Sequence, residues 1–219
     1  MEQLPVEFSL PEVSLGGGEV SLGGEAEPVE QALDIAYLQQ PASEWCWATC
    51  ATMVTRFVFR NTVAICQVVS TLIAGQNCCN GVPPEGDPES NASATFFRTS
   101  TPCNRAAKVA EIVQLYDKLG IQSTHRGGKI DFDSLCDQIA NTGSPIAVAF
   151  SWLGGGGHVV LVRGVIKETA IVRVNDPWPD TGEVLVPFSQ LQSAYGRGTW
   201  FDSWTNIGIR QPEPANGTV

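Results

Sequence analysis

The segment Gln40-Pro41-Ala42-Ser43-Glu44-Trp45-Cys46-Trp47-Ala48 sets a cysteine between two tryptophans, six residues after a glutamine. Far downstream, Gly157-His158-Val159-Val160-Leu161-Val162 puts a histidine at the head of a β-branched run. Val174-Asn175-Asp176-Pro177-Trp178 then closes the next run with an amide and an acid. These residue types serve acyl transfer through a thiol, which needs a base, a group that orients the base, and donors for the oxyanion. They occur in the order Gln, Cys, His, Asn/Asp, with His158 112 residues after Cys46 and Asp176 18 residues after His158.

Each member has its own physical warrant. Cys46 stands at the predicted start of a helix, where unpaired backbone N–H groups favour an anion. In general, a cysteine beside an imidazolium titrates far below the free-thiol value of about 8.5, down to roughly 3–4 in strong pairs. His158 follows four glycines, which let the chain turn sharply, and it begins a strand that would hold it rigidly. His125, the second of two histidines, lies in Ser123-Thr124-His125-Arg126-Gly127-Gly128 and reads as a surface turn. Asn175 and Asp176 both fit the orienting role. Adjacent residues of a strand face opposite ways, so one of the two reaches the ring. Gln40 would donate its side-chain N–H to the oxyanion beside the Cys46 backbone N–H; loss of one such donor costs about 10²–10³ in kcat. Trp45, Trp47 and Trp178 are expected to pack around the site and exclude water. The glycines at 154–157 lead into His158 and no Lys-Ser/Thr follows, which argues against a phosphate loop.

The elements that must position these residues fall into two halves. Helices are predicted over 45–59 with Ser43 as cap, 66–74, 104–119 with Asn104 as cap and Gly120 as stop, and 131–141 capped by Asp131. From Pro145 the pattern changes to short β-branched runs at 146–152, 158–165, 170–174, 183–186 and 199–207. Helices first and antiparallel strands second make an α+β chain. The nucleophile lies on the helical half and the base on the sheet half, so a cleft between them must bring the two together.

Composition narrows the class. A chain of 219 residues with 43% hydrophobic content can bury a good core. Of its 23 acidic groups, nine lie in residues 1–55, where no Lys or Arg occurs; the other 14 face all 13 basic groups. The net charge of −10 therefore belongs to the amino-terminal end. No basic stripe exists for nucleic acid, and the acidic start would be repelled by an anionic membrane. No apolar run spans a bilayer, and Met1-Glu2-Gln3-Leu4-Pro5 lacks the features of a Sec signal. The expectation is a chain that stays in the cytoplasm or is secreted by a non-Sec route. Residues 1–32 read as an acidic, Gly-rich leader with a near repeat at 12–17 and 19–24, residues 33–210 as the folded domain, and 211–219 as a flexible tail.

Six of the seven cysteines remain to be placed. Cys136 falls on an apolar helix face with Phe132, Leu135 and Ile139 and reads as a buried, inert thiol. Cys66, the Cys78-Cys79 pair and Cys103 bracket a polar, Pro/Gly-rich segment, and Cys50 adds a further thiol whose pairing is open. Disulfide staples, free thiols and a zinc site all compete there, although Cys-x-x-Cys and His-x-His spacings are missing. Disulfides would imply an oxidising destination.

Gln40 with Trp45-Cys46-Trp47-Ala48, the Cys78-Cys79 doublet with Cys103-Asn104, Gly157-His158-Val159-Val160, and Asp176-Pro177-Trp178 together resemble the papain-like cysteine peptidases of the AvrRpt2 type, used by bacteria as secreted effectors. They are similar, more distantly, to bacteriocin-processing C39 peptidases. The resemblance spans about residues 36–190. It implies a papain-like fold, with a helical lobe followed by an antiparallel β lobe, and a triad of Cys46, His158 and Asp176 with Gln40 assisting. It further implies hydrolysis of peptide bonds through a thioester acyl-enzyme, an effector-type or processing role, no cofactor or metal, and a monomer acting on a protein or peptide. The alternatives are an acyltransferase or transpeptidase using the same triad, and a catalytically silent peptide-binding protein. The chain departs from the pattern at Thr49-Cys50, where a second small residue is usual, and in its acidic leader.

Overall fold

The apolar periodicities resolve into five helices and seven strands in a computed structural model that describes residues 29–80, 82 and 102–209. The leader before residue 29, the loop residues 83–101 and the tail from 210 lie outside the described residues. The order is β1 (Glu30–Ala32), α1 (Cys46–Phe59), α2 (Ile65–Leu72), α3 (Val109–Lys118), β2 (Ile121–Gly127), α4 (Phe132–Ala140), β3 (Ile146–Trp152), β4 (Gly157–Ile166), β5 (Ile171–Asp176), β6 (Gly182–Pro187), α5 (Phe188–Gln192) and β7 (Gly198–Ile209). Helices and strands give the α+β class read from the sequence, although β1 precedes α1, β2 lies between α3 and α4, and α5 lies between β6 and β7.

The strands form one antiparallel sheet in the order β2-β7-β3-β4-β5-β6. Short β1 pairs with β4 past the point where β3 ends. Because side chains alternate along a strand, each face of the sheet carries its own apolar cluster. One face packs Ala147, Ala149, Val159, Leu161 and Trp204 against α1, α2 and α3. The other packs Val148, Phe150, Val160, Val162 and Val174 against Leu135, Cys136 and Ile139 of α4 and Leu191 of α5. The expected inert thiol, Cys136, is buried there as predicted.

Several local expectations change. Asn104 does not cap the helix that follows. That helix begins at Val109, where Glu111 accepts the Lys108 N–H at 2.8 Å, while Asn104 serves α1 instead (below). Ser43 is not a side-chain cap either: α1 starts at Cys46 without a capping hydrogen bond. His125 lies within β2 rather than in a turn; it pairs with Asp202 at 2.8 Å and packs on Trp204. Asp131 does cap α4, accepting from the Ser134 N–H at 2.8 Å.

Candidate active site

Cys46 is the first residue of α1 and lines the cleft. The turn before it is held by a polar scaffold from a distant segment. Asn104 accepts the Glu44 N–H at 3.0 Å and donates to Ser43 Oγ at 3.1 Å. The indoles of Trp45 and Trp47 donate to the carbonyls of Cys103 and Arg105, at 2.7 and 3.1 Å. Both tryptophans are buried and clamp this segment; of the two, Trp47 also lines the cleft. Segment 103–105 is itself tethered, since Cys78 is bridged to Cys103 and its neighbour Cys79 to Cys66 on α2. Of the three readings of these cysteines, the disulfide one therefore holds. Cys50 takes no part and stays a free thiol.

Cys50 lies one helical turn beyond Cys46, buried, with its thiol donating to the Val159 carbonyl at 3.3 Å. Burial first, then the neighbouring charges of Cys46 and Asp176, push its pKa well above the usual thiol range. Two thiols four residues apart thus have separate fates. Cys46 faces the cleft; Cys50 stays protonated inside.

His158 is set by the β3–β4 hairpin. Gly157 pairs with Ser151, and a Cβ added to it would lie 2.9 Å from the Phe150 carbonyl, so only glycine fits without displacing the strand. The His158 ring stacks on Trp152 (5.9 Å, 20°) and meets Trp178 edge-on (6.2 Å, 85°). Its Nε2 and Asp176 Oδ1 are 2.7 Å apart. That leaves Nδ1 for the Cys46 thiol, which lines the same cleft. Burial opposes a charge on His158, but the Asp176 carboxylate and then the neighbouring Cys46 outweigh it and push the imidazole from 6.5 up to about 10.

Asn175 and Asp176 part as strand alternation requires. Asp176, at the end of β5, accepts on Oδ1 from both His158 and the Trp178 N–H, the latter at 2.9 Å. Asn175 points through the other face, accepting from Arg163 Nε at 2.8 Å and donating to the Ile35 carbonyl at 3.1 Å. Gln40 is fully buried under the α1 turn. Its Nε2 donates to the carbonyls of Ala42 and Ser43 at 2.8 and 3.1 Å, while Oε1 has no partner among the described residues. Its backbone N–H bonds Pro177 O at 2.8 Å, which ties the segment before Cys46 to the residue after Asp176.

Cys46, His158 and Asp176 share one cleft of about 840 Å³, whose walls include Trp47, Val109, Ile112, Trp152, Trp178 and Phe201. A buried acid, an imidazole and a thiol linked in series at the mouth of an apolar cleft can perform nucleophilic acyl transfer. Among the described residues no group of three or more His, Cys, Asp or Glu side chains is placed to hold a metal.

Residues 29–192 match the family described as papain-like cysteine protease AvrRpt2. The chain belongs to that family. Its structure is similar to a C39-like peptidase from Bacillus anthracis (16% identity, TM-score 0.52, covering 81% of this chain and 97% of that one). It is also similar to the peptidase domain of Streptococcus ComA (12% identity, TM-score 0.50, covering 82% and 98%). No curated protein matches the sequence. Family and fold make the chain a papain-like cysteine peptidase, a hydrolase. No helix among the described residues is long and apolar enough to cross a membrane.

Trp152 and Tyr195 were not singled out from the sequence, yet both line the cleft. Trp152 had a signal available: it ends the strand that returns through four glycines to His158, so a hairpin places the two rings side by side. Tyr195 had none, for it is brought in by a turn after α5 that carries no motif.

Proposed function

We propose that this papain-like peptidase cleaves peptide bonds with Cys46 as nucleophile, His158 as acid and base, and Asp176 as the group that holds the imidazole. The observation that carries this reading is the series Cys46–His158–Asp176, with a 2.7 Å bond at its buried end and the thiol end in the cleft. Cys46 sulfur, as thiolate, attacks the scissile carbonyl carbon, and the carbonyl electrons move onto oxygen. The Cys46 backbone N–H, at the first turn of α1 where the helix itself offers no acceptor, donates to that oxyanion. Gln40 is the second donor; it would exchange one of its carbonyl partners, Ala42 or Ser43, for the oxyanion. His158 gives its Nδ1 proton to the leaving nitrogen as the C–N bond breaks, which leaves a thioester on Cys46. Water then loses a proton to Nδ1 and attacks the thioester carbon. The C–S bond breaks, the acid product departs and the thiolate–imidazolium pair is restored.

The substrate is a protein or peptide, and the family resemblance supports an effector-type or processing role. Two disulfides support work in an oxidising compartment, outside the cytoplasm. The test is incubation with an unfolded protein such as reduced casein in ¹⁸O-water with an added amine, read by mass spectrometry. New C-termini carrying ¹⁸O, absent with Cys46→Ala, are the expected result. Amide products in place of acids would instead identify an acyltransferase. No new termini and no Cys46-linked acyl group would leave a binding protein and end the peptidase proposal. Gln40→Ala in the same assay is expected to lower kcat by about 10²-fold.

A further inference from the structure

The turn after α5 is the most strained stretch of backbone near the site. Ala194, Tyr195 and Gly196 run consecutively through left-handed conformations, with φ of 47°, 57° and 77°. For the first two, with Cβ atoms, this costs about 1–2 kcal/mol per residue, so the surroundings must fix it. They do: Ala194 N–H bonds Leu191 O at 3.1 Å, Tyr195 N–H bonds Gln190 O at 2.8 Å, and Gly198 N–H bonds Ser193 O at 3.1 Å. Strain that is over-determined in this way is the kind found where a side chain must be delivered to a site.

What the turn delivers is the Tyr195 ring. It meets Phe150 edge-on at 5.3 Å and 78°, and Phe150 is the cross-strand partner of His158. The phenol oxygen is sealed from solvent without a well-formed hydrogen bond to any described group. An unpaired buried hydroxyl is costly, and the Asp176 carboxylate, which lines the same cleft as Tyr195, is the charge that acts on it most. Burial first, and then that carboxylate, hold the phenol well above its ordinary range. The hydrogen bonds that Asp176 accepts, from His158 and from the Trp178 N–H, both fall on Oδ1. The second oxygen is thus the natural acceptor for the phenol.

We infer that Tyr195 is a positioning residue whose hydroxyl closes onto the second oxygen of Asp176, directly or through one water, and fixes the carboxylate plane that His158 reads. Its hydroxyl is sealed from solvent, so it acts through Asp176. The inference rests on the triad proposed above for its kinetic arm only. The test compares the full-length protein with Tyr195→Phe, Asp176→Asn and the double variant, measuring kcat, KM, Tm and the proton resonance of the His158 Nε2–H. Tyr195→Phe keeps the ring and its contact with Phe150. It should lower kcat about tenfold with KM unchanged, and it should shift the Nε2–H resonance, because Oδ1 becomes a stronger acceptor once the competing donor is gone. In the Asp176→Asn background the same change should do nothing further. An unchanged kcat and an unchanged resonance in Tyr195→Phe overturn the inference, as do losses that multiply in the double variant. Should the wild-type chain cleave nothing while the resonance still moves in Tyr195→Phe, the positioning role stands and the peptidase proposal fails.

Discussion

Serine at both Cys78 and Cys103 removes the bridge that holds the clamp on the nucleophile turn. The cysteines are 25 residues apart in sequence. Closing a loop of that size in the unfolded chain removes entropy worth about 3.5 kcal/mol at 25 °C in the chain-entropy model. For a domain of this size, about 2–4 °C accompanies each kcal/mol, so the double variant should melt about 7–14 °C lower. Activity should fall further than folding alone explains. Segment 103–105 supplies acceptors to the Trp45 and Trp47 indoles and to the Glu44 N–H. Releasing it frees the first turn of α1 to shift, and a displacement of about 1 Å at a reacting group can cost 10²-fold. The assay is urea unfolding followed by tryptophan fluorescence, together with kcat measured well below the variant's Tm. A stability loss under about 1 kcal/mol, or full kcat in the folded variant, would refute the argument that this bridge secures the nucleophile.

The alternation of Asn175 and Asp176 makes a paired prediction. Asp176→Asn should lower kcat about 10⁴-fold and remove the stabilisation that the carboxylate gives to a charged His158, whereas Asn175→Ala should keep most of kcat and cost about 1–3 kcal/mol by stranding the buried Ile35 carbonyl and removing an acceptor from Arg163. Kinetics and urea unfolding of the two variants decide it, and the reverse pattern would overturn the assignment. His158 gives a pH prediction. Its folded-state pKa is raised to about 10 from 6.5, so the stabilisation it brings is fully present below about 6.5 and is lost as pH climbs through about 10. The Tm gap between wild type and His158→Gln should therefore narrow across that window in a differential scanning fluorimetry series; a gap that does not change with pH would show that the imidazole is not held charged.

Much of this architecture could be read from residue patterns, and the failures have physical causes. Strands 146–152 and 158–165 announced themselves because both are buried and β-branched, and they recur as β3 and β4 with at most one residue of change at each end. Strand β2 escaped notice because it is a sheet edge. Ile121 is its one fully buried residue, so no alternation survives. Asn104 misled because an asparagine before a periodic run looks like a cap, whereas its side chain was recruited by residues 61 positions earlier. The candidates Cys46 and His158, and their order along the chain, came from residue type. The choice between Asn175 and Asp176 did not, because it depends on register. That register includes a shift between Val162 and Gly164, beside the arginine that claims Asn175. Long-range contacts such as Tyr195 with Phe150 leave no local trace.

The position of β7 has a consequence for how the chain is made. It is the last of the described strands in sequence but lies inside the sheet, hydrogen-bonded to β2 on one side and β3 on the other. A nascent chain that has emerged only to residue 197 therefore has β2 without a partner and β3 open along one edge. The face carrying Trp204 is then missing from beneath α1 and α3. Pairing this late and this non-local is slow. Any fragment lacking the last strand should be held open and exposed to chaperones or to translocation machinery. The cleft forms only after residue 209 is free, which delays the appearance of a working thiol until synthesis of the domain is finished.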